Sequence, residues 1–151
     1  MSVRHWSLEA VLTVGTRVGL DSNILIYLLE GDGPRADAAA SILDGIAEGR
    51  IVGILASLGL TEVLAGFARD RDATRFETVA AEIGDLGLRI RGLDRGLAVD
   101  AAWLRGEGMA LEDAVHVATA RVERADVFVT NDRRIRSRPG FDVAYLDDVI
   151  A

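Results

Sequence analysis

The segment Val18-Gly-Leu-Asp-Ser-Asn-Ile-Leu-Ile-Tyr-Leu-Leu-Glu30 leads from an aliphatic run, through three small polar residues, into a second apolar run. Residues 17–20 are β-prone and predict a short strand. Asp21 and the two residues after it are of the types that end strands and cap helices. Residues 24–30 then predict an apolar helix that Gly31 closes. We therefore expect a strand followed directly by a helix, with a carboxylate at the carboxyl end of the strand.

The rest of the chain continues this alternation of short strands and helices. Helical spacing and capping residues predict helices at 7–12, 34–49, 58–69, 73–83, 94–104 and 111–122. Further strands are predicted at 51–56, 88–92, 127–130 and 143–146. Helices between apolar strands imply a parallel sheet that is covered on both faces. We predict an α/β fold with four or five short parallel strands, in an order of about 3-2-1-4-5 when the strands are numbered along the chain.

The chain is predicted to form a single domain. Its 151 residues contain no repeat, low-complexity run or linker-like segment. Residues 1–15 are expected to form a short leading helix. No signal-type segment and no run of ~20 apolar residues is present, so we expect no membrane association and a cytoplasmic location.

Composition excludes several kinds of chemistry. The sequence contains no cysteine, which excludes disulfides, thiolate zinc sites and cysteine nucleophiles. All 17 basic residues are arginine, so the lysine that P-loop, Schiff-base and aspartyl-phosphate sites require is absent. The formal net charge of −7 argues against broad, non-specific binding of nucleic acid. Any contact with nucleic acid must therefore be local or mediated by a metal ion.

Four acidic residues fall at the edge where parallel sheets bind ligands, beyond the carboxyl ends of the strands. Asp21 directly follows the first strand, and Asp132 lies two residues after the fourth. Glu62 lies in the opening turns of the helix that follows the second strand. Asp113 begins the helix that leads into the fourth strand, and this helix also starts at the carboxyl edge. We therefore expect the four carboxylates to converge.

A cluster of this kind requires a compensating cation. Two carboxylates ~4 Å apart repel each other by about 4 kcal/mol at an effective dielectric constant near 20. Mg²⁺ or Mn²⁺ is the expected ion, because hard divalent cations bind carboxylate oxygens and accept substrate phosphate as a further ligand. Such a site could promote phosphodiester hydrolysis without a protein nucleophile.

Four segments together resemble the PIN-domain family, to which the VapC-like toxins of bacterial and archaeal toxin–antitoxin pairs belong. They are the segment 18–30 quoted above, Ser57-Leu-Gly-Leu-Thr-Glu-Val-Leu-Ala65, Leu111-Glu-Asp-Ala-Val-His-Val-Ala-Thr-Ala120 and Phe128-Val-Thr-Asn-Asp-Arg-Arg134. Each segment is short, but their order and spacing cover most of the chain. The resemblance implies a single PIN-like domain and a metal-dependent ribonuclease that cleaves single-stranded RNA. It also implies a cognate antitoxin and a homodimer.

The resemblance further implies roles for individual residues. The catalytic and metal-binding quartet would be Asp21, Glu62, Asp113 and Asp132, supported through hydrogen bonds by Ser22, Thr130 and Asn131. The sequence departs from the family pattern at two positions. Ser22 stands where threonine is commoner, and Arg136 stands where some members carry another acid. The second departure leaves the number of bound ions open.

Three further residues stand next to these acids in the sequence. Arg133 and Arg134 belong to a basic run beside Asp132 and could contact RNA phosphates, although such runs are often only solvated surface. His116 lies three residues after Asp113 on an almost entirely apolar helix. We expect His116 to be a hydrogen-bonded core residue or a partner-facing residue rather than a metal ligand.

Two other functions remain open on sequence grounds. An aspartate-based phosphatase or phosphotransfer domain would also place an aspartate after its first strand. The missing lysine argues against it, as does the lack of a second acid two residues after Asp21. A catalytically inert PIN scaffold that only binds a protein partner is the other alternative. The complete acidic quartet argues against an inert scaffold.

Overall fold

The computed structural model describes residues 5–151. Within that range the helices are α1 (Leu8–Val11), α2 (Ser22–Glu30), α3 (Pro34–Ala47), α4 (Ser57–Arg69), α5 (Ala73–Gly84), α6 (Arg95–Gly106), α7 (Leu111–Val122) and α8 (Leu146–Val149). The strands of the same range are β1 (Arg17–Leu20), β2 (Val52–Ala56), β3 (Arg89–Arg91), β4 (Val127–Thr130) and β5 (Val143–Tyr145). Of the predicted leading segment 1–15, residues 1–4 lie outside the described range. Its helix α1 is capped by the Ser7 hydroxyl, which accepts a hydrogen bond from the Ala10 N–H.

The five strands of the described range form one parallel sheet in the order β3-β2-β1-β4-β5. This result confirms the predicted α/β fold and strand order. The chain moves outward from β1 to β3 and then returns to the other side of β1, so the order reverses between β1 and β4. Leu20 pairs with Val129 there, and the Asp21 N–H donates to the Val129 carbonyl at 3.1 Å. Ligands of open parallel sheets bind at this reversal point.

Apolar clusters cover both faces of the sheet. Alternate residues of a strand point to opposite faces, and in β4 Val127 and Val129 belong to one cluster while Phe128 belongs to the other. Gly19 lets α7 approach β1 closely, because a Cβ atom at this position would lie 3.0 Å from the Ala120 Cβ and the Phe128 Cδ1. This close contact fixes the position of α7, which carries Asp113 and His116.

The structure departs from the sequence predictions at β3 and near the C-terminus. The predicted strand order already places the third strand at an edge, but the sheet was expected to be covered on both faces, and Arg89 and Ile90 of β3 are exposed. Leu146 was predicted to end the last strand and instead begins the short helix α8. The Asp147 N–H in the first turn of α8 donates to the Asn131 side chain at 2.9 Å. A contact with a residue 16 positions earlier therefore helps to set this boundary.

Candidate active site at the carboxyl edge of the sheet

Asp21 is buried directly after β1 and contacts three of its neighbours through its two carboxylate oxygens. Its Oδ1 accepts a hydrogen bond from the Ser22 N–H at 2.8 Å, caps α2 in this way, and lies 3.8 Å from His116 Nε2. Its Oδ2 accepts a hydrogen bond from the Thr130 hydroxyl at 2.7 Å. Asp21 is therefore a helix cap and a member of a polar cluster at the same time.

Thr130 links Asp21 to Asp132. Its fully buried hydroxyl donates to Asp21 and accepts a hydrogen bond from the Asp132 N–H at 2.9 Å. A hydroxyl group has one donor and acceptor lone pairs, and both functions are used here. The loop after β4 is thereby held against the end of β1. These two hydrogen bonds are of the supporting kind that the family resemblance implies for Thr130.

Glu62 reaches the same cluster from α4. Its Oε1 lies 2.5 Å from His116 Nε2. The hydrogen bond with His116 lowers the pKa of Glu62, and a hydrogen bond with the Ser22 hydroxyl lowers it further. Partial burial opposes this shift. Asp21, Glu62 and His116 each offer one ligand-type atom, and these atoms lie within 4.8 Å of one another.

His116 combines a core position with a place in the site. Its side chain is 2% exposed and bonded to Glu62, as expected for a hydrogen-bonded core histidine. Its contacts with Glu62 and Asp21 were not predicted from the sequence. The spacing offered a signal, because residues three apart on a helix share one face and His116 is three residues from Asp113.

The tautomer of His116 favours hydrogen-bond donation over metal ligation. Its Nδ1 is buried and has no hydrogen-bond partner among residues 5–151. If Nε2 were a metal ligand, the proton would lie on Nδ1 and remain unsatisfied, whereas ligand histidines usually donate that N–H to an acceptor. Burial disfavours a charged ring, but the hydrogen bond to Glu62 and the carboxylates of Asp21 and Asp113 outweigh it and raise the pKa of His116. Because a carboxylate only accepts hydrogen bonds, the contact with Glu62 places a proton on Nε2, which the ring donates to Glu62.

Asp113 and Asp132 form the other half of the site together with Arg134. Arg134 Nε and Nη2 donate to the two carboxylate oxygens of Asp132 at 3.0 and 2.8 Å, and Nη2 lies 3.9 Å from Asp113 Oδ2. The contact with Arg134 lowers the pKa of Asp132. The pKa of Asp113 is raised, first by burial and then by the charges of Asp132 and Asp21, while the charge of Arg134 partly opposes this shift.

The structure thus brings all four predicted acids to one edge of the sheet. Their oxygens are hard donors of the type that Mg²⁺ and Mn²⁺ bind. The raised pKa of Asp113 indicates that its negative charge is poorly compensated by the protein's own cations. The residues present therefore fit a hard divalent cation.

Two other predicted residues point elsewhere. Asn131 was expected to support the quartet, but its amide donates to the Tyr27 hydroxyl and to Asp147, at 3.1 and 3.2 Å. Arg133 forms two hydrogen bonds of 2.8 Å with Asp148 and lies 4.2 Å above the ring of Tyr145. Within residues 5–151, neither side chain forms a hydrogen bond with one of the four acids. The expectation for Asn131 is therefore corrected, because the sequence showed neither of its long-range partners.

A cleft of about 400 Å³ opens beside Glu62, between α2 and α4. Its lining combines apolar side chains with charges of both signs: Ile26, Leu29, Phe67, Arg69, Arg75, Glu30, Glu62 and Asp70. Arg75 lies 5.8 Å from the centre of the Phe67 ring. The carboxylates therefore adjoin an apolar cleft whose lining carries charges of both signs.

Three solved structures share this fold. One is VapBC2 from Rickettsia felis bound to a DNA fragment from its promoter, with 20% identity, 86% of this chain and 98% of that chain covered, and a TM-score of 0.66. Another is a toxin–antitoxin complex from Klebsiella pneumoniae, with 21% identity and a TM-score of 0.61. The match covers 83% of this chain and 95% of that chain. The third is DNA-bound VapBC from Salmonella typhimurium, with 19% identity and a TM-score of 0.64. The match covers 87% of this chain and 98% of that chain.

Sequence comparison assigns the family. A search of curated proteins found no match. The family model of the PIN domain matches residues 18–140, a range that begins within β1, extends past β4 and includes all four clustered acids. Because this match covers well over half of the sequence and the fold agrees with it, the chain belongs to the PIN-domain family.

Proposed function

We propose that this PIN domain is a Mg²⁺- or Mn²⁺-dependent endoribonuclease that hydrolyses phosphodiester bonds in single-stranded RNA. The observation that carries the proposal is the convergence of Asp21, Glu62, Asp113 and Asp132 from four separate segments. Two of these acids are buried, and the pKa of Asp113 is raised by burial and by its acidic neighbours. A structural cluster of this kind would destabilise the fold without a compensating cation.

In this proposal the four carboxylates hold the cation, and the surrounding residues hold the carboxylates. A bound divalent cation would supply an activated water molecule and stabilise charge on the phosphate and the leaving oxygen. Ser22 and Thr130 fix both oxygens of Asp21, and His116 fixes Glu62. These bonds are already formed in the free protein, so little rearrangement is needed when the substrate binds.

RNA is expected to approach through local contacts, because the chain carries a net charge of −7. Arg134 stands at the rim of the site, whereas the donors of Arg133 are engaged by Asp148. The cleft beside Glu62 offers an apolar wall that includes Phe67, of the type on which unstacked bases stack, and Arg69 and Arg75 of its lining are available to phosphates. These features support single-stranded rather than duplex RNA as the substrate.

We also propose that the protein is the toxin of a toxin–antitoxin pair, acts in the cytoplasm and forms a homodimer. The similar solved structures are described as VapBC or toxin–antitoxin complexes, and this likeness supports an antitoxin partner. Within residues 5–151, no helix has the length and apolar character needed to cross a bilayer. Co-expression with the product of a small neighbouring gene should relieve growth inhibition, and size-exclusion chromatography should report the oligomeric state.

An RNA-cleavage assay tests the enzymatic proposal. Purified protein should cleave single-stranded RNA in Mg²⁺ or Mn²⁺ and stop cleaving when EDTA is added. Asp21→Asn should lower the rate by at least about 100-fold, because it removes a central carboxylate. Asp44→Asn makes the same change at an exposed position of α3 and should leave the rate unchanged. Undiminished cleavage by Asp21→Asn would contradict the proposal, and failure to bind Mg²⁺ in calorimetry would favour an inert scaffold.

A further inference from the structure

Arg134 occupies the ligand oxygens of one of the four acids. Its Nε donates to Asp132 Oδ1 at 3.0 Å and its Nη2 to Asp132 Oδ2 at 2.8 Å. The backbone N–H of Arg134 also donates to Oδ1 at 3.0 Å. Oδ1 therefore accepts two hydrogen bonds, which use its two lone pairs. A planar guanidinium matches a carboxylate in this two-bond arrangement better than any other side chain does.

The same guanidinium also lies near Asp113. Nη2 lies 3.9 Å from Asp113 Oδ2, and the pKa of Arg134 is raised by Asp132 and then by Asp113. One protein cation thus stands beside two of the four carboxylates, at a place where the proposed function requires a divalent cation. Two cations beside one carboxylate repel each other, and Oδ1 of Asp132 has no free lone pair for a metal ion while Arg134 holds it.

We propose that Arg134 is an internal competitor of the divalent cation, which holds Asp132 in the metal-free protein and leaves Asp132 when the cation binds. The inference rests on the metal site of the proposed function and adds an exchange between two cations at that site. The sequence predicted only a contact between Arg134 and RNA phosphate. The proposal adds that the Arg134 side chain is released from Asp132 when the divalent cation binds. The freed guanidinium would then stand at the rim, where a substrate phosphate arrives.

The surroundings of Arg134 allow this movement. Its side chain is 77% exposed, and within residues 5–151 its ion pairs are with Asp132 and Asp113 alone. The neighbouring Arg133 provides a contrast, because it is stacked on Tyr145 and bonded through two nitrogens to Asp148. Release of Arg134 breaks no packing contact of this type, whereas release of Arg133 would.

Calorimetric titration of the full chain with Mn²⁺ and with Mg²⁺ tests the proposal. Arg134→Gln should bind the cation about tenfold more tightly than the wild type, because the competitor is removed. Arg134→Lys keeps the positive charge but loses the two-bond contact with Asp132. Its affinity for the cation should therefore lie between the affinities of the wild type and of Arg134→Gln. Arg133→Gln makes the same change of net charge at the adjacent position and should stay within about twofold of the wild type.

The possible outcomes separate this inference from the proposed function. Equal affinity of all four proteins would overturn the exchange and leave the metal site intact. Arg134→Lys binding no more tightly than wild type would also overturn it, because net charge alone would then explain the effect of Arg134→Gln. Weaker binding by Arg134→Gln would show that Arg134 positions Asp132 for the metal. Absence of cation binding in every protein would refute both the metal site and the exchange.

An NMR titration observes the exchange without measuring activity. The Nε–H signal of Arg134 can be assigned through its loss in Arg134→Lys. We expect this signal to shift and to exchange faster with water as Mg²⁺ saturates the site. The Nε–H of Arg89, which is bonded to Glu123 at 2.7 Å, should remain unchanged. An unchanged Arg134 signal in a protein that binds Mg²⁺ would overturn the proposal.

Discussion

Asp113 and Asp132 show how two acids of one site can affect stability in opposite directions. Burial and neighbouring charges raise the pKa of Asp113, whereas Arg134 lowers the pKa of Asp132. The folded protein therefore binds the Asp113 proton more tightly than the unfolded chain does, and at neutral pH the charged Asp113 destabilises the metal-free fold. Asp132 stabilises the fold above its ordinary pKa, and this contribution is lost as the pH falls through the lowered pKa.

Asp113→Asn is predicted to raise the melting temperature of the metal-free protein at pH 7 by a few degrees. The substitution removes an uncompensated charge, and the Asp113 side chain has no hydrogen bond within residues 5–151 that could be lost. The gain over wild type should shrink as the pH falls through the raised pKa of Asp113, because the wild-type group then becomes neutral as well. Differential scanning calorimetry in EDTA across a pH series measures both effects.

Asp132→Asn is the matched control for this prediction. It removes one negative charge from the same cluster, but the charge of Asp132 is compensated by its ion pair with Arg134. Its melting temperature should be equal to or below that of the wild type. A parallel rise in both variants would show that general acidic repulsion, rather than the burial of Asp113, is the cause.

The secondary structure was predictable wherever local chemistry decides it. The bounds of β1, α7 and β4 agree with the sequence prediction, because a β-prone run or an apolar helical pattern ends at a clear boundary in each case. The helix α8 was not predictable, since its first turn is bonded to Asn131 across 16 residues. The edge position of β3 was part of the predicted strand order, but the exposure of Arg89 and Ile90 was not predicted.

The location of the site was predictable from the sequence, but the hydrogen-bond partners of its residues were not. Topology places Asp21, Glu62, Asp113 and Asp132 at one sheet edge, and strand order follows from the sequence pattern. The partners of these acids were not predictable, because the contacts of His116 with Glu62 and of Asn131 with Tyr27 join segments far apart in the chain. Side-chain pairing of this kind depends on the final packing of α4 and α2.

The C-terminal end of α7 is clamped to the sheet by a buried carboxylate. Glu123 is 6% exposed, and Arg89 Nε donates to its Oε2 at 2.7 Å. Arg91 Nη1 lies 3.3 Å from its Oε1, and Arg17 donates to the Glu123 backbone carbonyl at 3.0 and 2.7 Å. Arginines from β1 and β3 therefore meet at the end of one helix, where cations also interact favourably with the helix dipole.

Glu123→Gln is predicted to lower the free energy of unfolding by about 1–3 kcal/mol, because a neutral amide cannot replace the charge-assisted bonds to the arginines. Urea denaturation monitored by circular dichroism gives this value. Glu48→Gln alters an exposed pair with Arg50 and should change the free energy by less than about 0.5 kcal/mol. Equal effects of the two substitutions would contradict a specific role for the clamp.

The whole domain is predicted to gain stability from the divalent cation, because the four acids come from segments that span residues 21–132 and meet only in the folded chain. A ligand that binds the folded state alone stabilises it by about 2.7 kcal/mol at 100 times its dissociation constant. For a domain of this size, that gain raises the melting temperature by roughly 5–10 °C.

Mg²⁺ also screens the net charge of −7, so the reference must be NaCl at equal ionic strength. The melting temperature should rise in Mg²⁺ beyond this reference for the wild type and for Asp44→Asn, but not for Asp21→Asn. A rise of equal size in NaCl, or in Asp21→Asn with Mg²⁺, would show that the cation acts on the surface charge of the molecule. Stabilisation that depends on Asp21 would instead locate the bound ion at the edge of the sheet where the four carboxylates meet.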